Sequence, residues 1–359
     1  MATPSVYALI LAGGRGTRFW PRSRRKHAKQ VLEIAGNQTM IQATAARLAP
    51  VVPPERTWIL TSPELRGVIL RQLPQVPPEQ VLAEPVPRNT APAIGLAAHI
   101  LASEDPDAIM GVFPSDHVVT NPRKYLRFVR AAFRAAAEDK LVVFGIQPRH
   151  PETGFGYIEL PEGVQAGALE AYPVTRFREK PDLATAKRYL RAGRFFWNSG
   201  MFFWRARVFL EELRRHLPKT TALLSSLPRA GSPRFRRALA GIFPQCESIS
   251  VDYAVLEKAR NVAGFACDDF GWSDVGSWNA VHELWPKDAS GNAVRGEALA
   301  LASRGNYVDA PGKLVALVGV EDLAIVDTPD ALLVVRRSEA QRVGELVKML
   351  EKQNRQDLL

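Results

Sequence analysis

VYALILAGGRGTRFWPRSRRKHAKQ, Val6 to Gln30, decides how the chain is read. It opens as a continuous apolar run that stops at Gly13 and Gly14, the pattern of a parallel strand buried on both faces. Glycines at 13, 14 and 16 let the backbone approach phosphate oxygens and leave free N–H groups to form an anion nest. Arg18 then offers a forked donor for β and γ phosphates, and Lys29 a point charge able to reach an α phosphate or a leaving pyrophosphate. A dinucleotide fingerprint would read G-x-G-x-x-G with an acid about twenty residues later. Here GGRGTR places an arginine where the last glycine would stand, so the pattern favours a triphosphate.

Outward from this loop, strand-like and helix-like segments alternate. Helical patterns over 40–49, 63–73, 90–101 and 124–138 are interleaved with strand patterns over 57–61, 80–83, 108–113 and 141–145. That rhythm predicts an α/β fold, a mostly parallel sheet with helices on both faces. In the middle, 157–160, 174–179 and 200–205 read as strands near the sheet's edge, with helices over 183–192, 207–216, 233–243 and 252–259. From about Ala289 the texture changes: short apolar pieces separated by Gly, Asp and Pro run from 293 to 335 and predict a small all-β module. A charged amphipathic helix over 339–352 follows and is expected to pack on that module or on a partner subunit. The chain therefore divides into a first domain, 1–288, and a second, 289–359.

Bulk composition narrows the classes. Hydrophobic residues at 46% and charged residues at 23% of 359 describe an ordinary globular chain. Two cysteines, Cys246 and Cys267, read as core thiols in a reducing compartment. Residues 1–7 lack the basic region of a secretory signal and no apolar stretch is long enough to span a bilayer, so the expectation is cytoplasmic with no membrane partner. The net charge of +10 is spread over helices except for one knot, Arg15, Arg18, Arg22, Arg24, Arg25 and Lys26. The knot sits at the glycine loop without the aromatic interleaving of a single-strand binding surface, which points to polyphosphate and away from nucleic acid.

Further motifs follow in order: EPVPRNTAPAIGLAA (84–98), FPSDHVV (113–119), ETGFGYIE (152–159), FREKP (177–181), FWNSGMF (196–202) and WSDVGSW (272–278). Asp116 and Asp274 are carboxylates of the kind that bridge Mg2+ to substrate phosphates, and Asp116 lies beyond the carboxyl end of a buried strand, where ligands gather. Taken alone, Asp116 could equally be a turn or cap residue, Asn89 a helix cap, and Glu179 with Lys180 a solvated pair. Adjacent strand residues also point to opposite faces unless a bulge or strand end redirects one, which sets Glu179 and Lys180 at odds as partners. The aromatics around Asn198 (195–197 and 202–204) read as packed core, and His117 as structural.

GGxGTR with a lysine about a dozen residues on resembles the signature of sugar nucleotidyltransferases. Its Phe-Trp-Pro and Lys-Gln variant resembles the mannose-1-phosphate guanylyltransferases, and the seven motifs together span residues 6 to about 285. The resemblance implies the nucleotide-diphospho-sugar transferase fold, GTP and mannose 1-phosphate as substrates, GDP-mannose and pyrophosphate as products, and Mg2+ held by Asp116 and Asp274. It assigns charge neutralisation to Arg18, Lys29 and Lys180. GTP would meet Leu11, Ala12, Gly13, Gly14, Gly16, Thr17, Glu84, Arg88, Asn89 and Thr90, and mannose 1-phosphate Gly156, Tyr157, Glu179 and Asn198. The short tail resembles a β-helix-like module associated with dimer contacts, which implies a homodimer. One departure stands out: the family usually has proline just before the lysine and this chain has Ala28, which bears on the stiffness of that loop.

Two other readings are compatible with the fold. A sister enzyme would use another NTP or sugar 1-phosphate, and a catalytically silent regulatory subunit would have lost Arg18, Lys29, Asp116 or Asp274, all present here. An appended isomerase domain is not expected, since about seventy residues follow Ala289.

Overall fold

The computed structural model describes residues 5–359; most of the amino-terminal stretch read as lacking a leader lies outside the described residues. A mixed sheet of ten strands forms the centre. Its main path runs Val81–Ala83, Thr57–Thr61, Val6–Ala12, Ile109–Pro114, Phe195–Arg205, Leu141–Ile146, Val262–Cys267 and Tyr172–Pro173. The first four strands are parallel, and so are Leu141–Ile146 and Val262–Cys267. Between them Phe195–Arg205 runs antiparallel to both neighbours and divides the parallel sheet in two. Leu9 and Ile10, both fully buried, face opposite helical layers, which is why the opening strand has no polar alternation.

The helix Pro122–Ala136 covers one face of the sheet and the helices Thr90–Glu104 and Ala206–His216 cover the other. No helix among the described residues is long and apolar enough to cross a membrane. Cys246 and Cys267 are free and buried.

Four segments depart from the sequence reading. Val262–Cys267 is a fully buried strand paired with Leu141–Ile146, and Pro218–Ser225 is a helix; neither was anticipated. The strand expected over 200–205 begins at Phe195. Its register shifts between Asn198 and Phe202, where Gly200 takes φ +71°, and this bulge breaks the alternation that marks a strand. The helix expected over 252–259 is wound as a π-turn over Asp252–Leu256.

The carboxyl-terminal segment forms a four-stranded sheet of Ala293–Leu301, Tyr307–Val318, Leu323–Thr328 and Ala331–Arg336, the first three parallel. Asn292 and Asn306, nearly fully buried, link its turns: the Asn292 Oδ1 accepts from Asn306 Nδ2 at 3.0 Å. The helix Val343–Lys352 follows. Beside a small apolar cluster of its own, Val308, Ala310, Leu317 and Ile325, this module shares a larger core with the first domain. Phe19 and Trp20 of the glycine loop and Trp278 and Val281 pack with Tyr307, Val326, Val343 and Val347 in one cluster.

Polar contacts bind the same parts: the Trp20 indole donates to the Leu358 carbonyl at 3.0 Å, and Arg22 grips the buried Asp309 carboxylate through two donors at 2.9 and 3.1 Å. Among the described residues Arg22→Ala would leave Asp309, 1% exposed, with Arg295 at 4.0 Å as its one remaining ion-pair partner, and should lower stability by about 3 kcal/mol. Glu351→Ala, which removes the exposed partner of Arg15, should cost under about 1 kcal/mol. Urea denaturation of both variants measures the difference, and equal losses would refute the tie to Asp309.

Candidate active site

The glycine loop is fixed from below. Gly16 takes φ +60°, and a Cβ there would stand 2.6 Å from the Lys29 Cβ, so only glycine lets the loop fold over the lysine. Gln30 donates to the carbonyls of Ala12 and Gly14 at 2.8 and 2.9 Å, Thr61 donates to Ala12 at 3.0 Å, and Ser23 donates to Gly16 at 2.7 Å. The Ala12, Gly14 and Gly16 carbonyls are thus engaged by the chain itself, which braces the loop between Leu11 and Thr17.

Lys29 is 4% exposed and its Nζ meets two acceptors, the Asp116 Oδ2 at 2.9 Å and the Asp274 backbone carbonyl at 2.7 Å. Asp116 follows the strand Ile109–Pro114, and Asp274 follows Trp272–Ser273, which pairs antiparallel with Val118–Val119. That small ribbon draws together two loops far apart in sequence. Burial opposes the Asp116 charge, but Lys29 outweighs it and holds the carboxyl below its usual range. Burial pushes Asp274 up against the pull of Lys29 and Arg18. His117, pushed down to about 4 by burial, accepts at Nδ1 from the Trp272 indole at 3.2 Å and is a neutral structural residue.

Two cavities open beside the loop. One, of about 450 Å³, is bounded by Gly13, Gly14, Arg15, Glu84 and the prolines 85 and 87. Burial raises the Glu84 carboxyl to about 7. Arg88, Asn89 and Thr90 are not in its lining among the described residues. The Arg88 guanidinium donates to the Pro244 carbonyl, Asn89 accepts from the Thr90 N–H at 2.9 Å as the cap of its helix, and the Thr90 hydroxyl accepts from the Val251 N–H at 2.9 Å. The other cavity, of about 1040 Å³, is lined by Arg18, Asp274, Glu152, Trp272 and Gln341 among others.

A second polar cluster lies where the bulged strand meets the strand pair Tyr157–Glu159 and Arg176–Arg178. Lys180 takes φ +44° just past the strand end, so the chain turns and the Lys180 Nζ comes back to the Glu179 Oε1 at 3.1 Å. The conflict between neighbouring strand residues is thereby resolved by the strand's end. A Cβ on Gly156 would fall 2.3 Å from the Glu179 Oε2, an oxygen that is buried and has no hydrogen-bond partner among the described residues. Tyr157 is committed to the core: its hydroxyl donates to the Glu152 carbonyl at 2.8 Å and accepts from the Trp197 indole at 3.0 Å.

The Asn198 Nδ2 donates to the Asp252 Oδ1 at 2.8 Å, and the Glu257 Oε1 accepts from the Glu179 N–H at 2.8 Å. Burial, then the neighbouring Asp252, raises Glu179; burial likewise raises Asp252. Asp252 and Glu257 were not singled out in the sequence; the only signal was their place in a short amphipathic stretch, which the π-turn turns toward Asn198. The six surrounding aromatics are buried core.

These features, a glycine loop after the first parallel strand and two acidic loops meeting under it, define a nucleotidyl transferase. The sequence family described as nucleotidyl transferase matches residues 7–291, and one described as a mannose-phosphate isomerase and GMP-like β-helix domain matches 296–350. A mannose-1-phosphate guanylyltransferase of Sinorhizobium fredii is 40% identical over 97% of this chain and 68% of its own length. One of Escherichia coli K12 is 39% identical over 99% and 76%. The crystal structure described as mannose-1-phosphate geranyltransferase from Thermus thermophilus superposes with a TM-score of 0.86 at 35% identity, over 96% of this chain and 99% of that one. The chain belongs to the nucleotidyl transferase family, within the branch of the mannose-1-phosphate guanylyltransferases.

Ala28, which precedes the lysine, is 1% exposed and sits at φ −70°. That is the angle a proline ring imposes, so the packed loop already holds the conformation that proline would enforce. Ala28→Pro should leave activity intact and raise the unfolding free energy by about 0.4 to 1 kcal/mol. Urea denaturation checks it; a destabilised variant would show that the fit is imperfect.

Proposed function

We propose that this chain transfers GMP from GTP to mannose 1-phosphate, giving GDP-mannose and pyrophosphate. The observation that carries the reading is the Lys29 ammonium, buried beneath the glycine loop and shared between Asp116 and the Asp274 carbonyl. The relatives' names supply the guanylyl group and the sugar phosphate. The smaller cavity supports a guanine: its N1–H and 2-amino group are adjacent donors, and the Glu84 carboxylate is an acceptor pair at that wall. Gly13, Gly14, Gly16 and Thr17 would carry the triphosphate with Arg18, while Glu179, Asn198 and Asp252 would accept or donate to sugar hydroxyls and Lys180 would neutralise the sugar's phosphate.

The phosphate of mannose 1-phosphate is already largely anionic near neutral pH, so its oxygen attacks the α phosphorus of GTP in line without a general base, and pyrophosphate departs. The protein's share is positioning and neutralisation of charge. Arg18 orients the β and γ phosphates and Lys29 meets the charge on the leaving group. The carboxylates of Asp116 and Asp274, on the two turns that Lys29 ties together, are donors of the kind that suit Mg2+, which when bound would supply positive charge to the phosphate oxygens. We assign residues 1–288 to catalysis and 289–359 to the β-helix-like module. An apolar face on that module, Leu299, Leu301, Leu314 and Val318, each more than half exposed, supports a second copy of the chain as partner, and the two free buried thiols support a cytoplasmic setting.

Pyrophosphate release by the purified protein, with paired NTPs and hexose 1-phosphates and with and without Mg2+, tests the reading. GTP with mannose 1-phosphate should give the highest kcat/KM, and preference for another pair would refute it. Lys29→Ala and Asp116→Ala should each cut turnover by about a hundredfold or more while folding is retained; wild-type rates in either would refute the roles given.

Glu84 adds a pH dependence. A carboxyl held at about 7 accepts both guanine donors only when ionised, so affinity should rise as pH climbs through 7 and level off above it. Between pH 6 and 8 calorimetric titration with GDP-mannose, whose diphosphate diester does not titrate there, should tighten by about tenfold. Glu84→Gln should bind weakly at every pH. A wild-type protein with flat affinity would sink the assignment of Glu84.

A further inference from the structure

Arg18 is an exposed side chain asked to hold one orientation. A free arginine on a surface samples many rotamers, and confining it costs on the order of 2 kcal/mol of side-chain entropy. One hydrogen bond confines it, and two glycines lie close on either side. Its Nη1 donates to the Gln341 Oε1 at 2.6 Å. Gly344, one residue into the carboxyl-terminal helix, faces its stem: a Cβ there would stand 3.6 Å from both the Arg18 Cγ and the Thr17 Oγ1. On the opposite side Gly276 leaves room for the guanidinium beside Asp274, since a Cβ there would lie 3.5 Å from the Arg18 Nη1 and 2.9 Å from the Asp274 Oδ2. Gln341 and Arg18 both line the larger cavity with Asp274.

The contact is made by the small module. Gln341 lies on the two-turn 3-10 segment Arg337–Arg342, which leads into the helix Val343–Lys352, and that helix is seated on the loop through Val343 and Val347. The module thus reaches over the glycine loop and places one polar side chain in the catalytic cleft. Its chemistry suits the task. A neutral amide oxygen fixes the guanidinium by one hydrogen bond without cancelling its charge, whereas a carboxylate at the same place would compete with phosphate for it.

We propose that Gln341 is a positioning residue for Arg18, so that the carboxyl-terminal module completes the triphosphate site from within the same chain. This rests on the reading of Arg18 given above. Gln341 itself need not touch substrate; it acts by holding the guanidinium aimed at the β and γ phosphates.

Steady-state pyrophosphate release by the full-length protein, with thermal melts alongside, tests it with three variants. Gln341→Met keeps the volume and removes the acceptor; it should lower kcat/KM for GTP by about tenfold with an unchanged melting temperature, the loss of a hydrogen bond to a charged group. Gln341→Glu keeps the acceptor and the fold, so a merely structural role would leave its rates at the wild-type level. The proposal instead expects it to fall below Gln341→Met in kcat/KM for GTP, with KM for mannose 1-phosphate little changed. Arg18→Ala is the control and should lose about a hundredfold or more.

If Arg18→Ala is crippled while both Gln341 variants stay within twofold of wild type, this inference fails and the proposed function stands. If Gln341→Met is faster than wild type, the contact is a restraint and the inference is overturned. If Arg18→Ala retains wild-type rates, the role of Arg18 falls and this inference with it.

Discussion

A lysine ammonium removed from water must find acceptors, and Lys29 finds one on each of two loops that are remote from it in sequence. That requirement organises the centre of the molecule. It places the Asp116 turn and the Asp274 turn against each other, keeps Asp116 ionised, and demands the glycine at 16 that lets the loop close above. The small ribbon formed by Trp272–Ser273 and Val118–Val119 holds the two turns in register at no more than four residues of strand. Because Lys29 satisfies an ion pair and a carbonyl together, the loss of either acidic turn would leave a buried charge, so the site is assembled as a unit.

The second organising element is the core shared by the glycine loop and the carboxyl-terminal module. Phe19 and Trp20, which directly follow Arg18, are buried among side chains of both the Trp278 helix and the module. The T-shaped contact of Phe19 with Trp278, centroids 5.2 Å apart, and the stacking of Trp278 on Tyr307 at 5.7 Å carry this core from the loop to the β module. A division of the chain near residue 288 follows its topology, yet the packing crosses that line. The arginines of the basic knot divide between two duties. Arg22 and Arg24 anchor the module through Asp309 and Asp330, while Arg18 keeps its guanidinium in the cleft.

Much of the fold was legible because it rests on local pattern. The opening strand, the helix over 183–192 and the strand over 57–61 have the bounds expected from apolar runs and their flanking breakers. Val262–Cys267 was missed because VAGFAC is short, carries a glycine and lies between helices, so nothing local distinguishes it from a loop. Its strand character comes from pairing with Leu141–Ile146, a partner more than a hundred residues away. In the site, the glycine loop, Lys29 and the two aspartates announced themselves by residue type. Asp252, Glu257 and Gln341 did not, since a polar residue on a short helical turn is ordinarily solvated and only tertiary placement gives it a partner. Arg88 shows the reverse: a basic residue beside a nucleotide motif that the fold turns toward the Pro244 carbonyl.

The antiparallel strand Phe195–Arg205 gives the sheet a seam. On one side stand the strands that carry the glycine loop and the Glu84 wall; on the other lie the bulge at Asn198 and the hairpin that ends at Glu179. Within the sheet the two halves pair, among the described residues, only through this strand, whose bulge shifts its register against Leu141–Ile146, while the helix Pro122–Ala136 and the ribbon of Val118–Val119 with Trp272–Ser273 cross the seam. On the function proposed above, recognition of the base and recognition of the hexose fall on opposite sides of that seam. A lineage built on this scaffold could exchange one sugar for another by remodelling the far half while its choice of nucleotide stayed fixed.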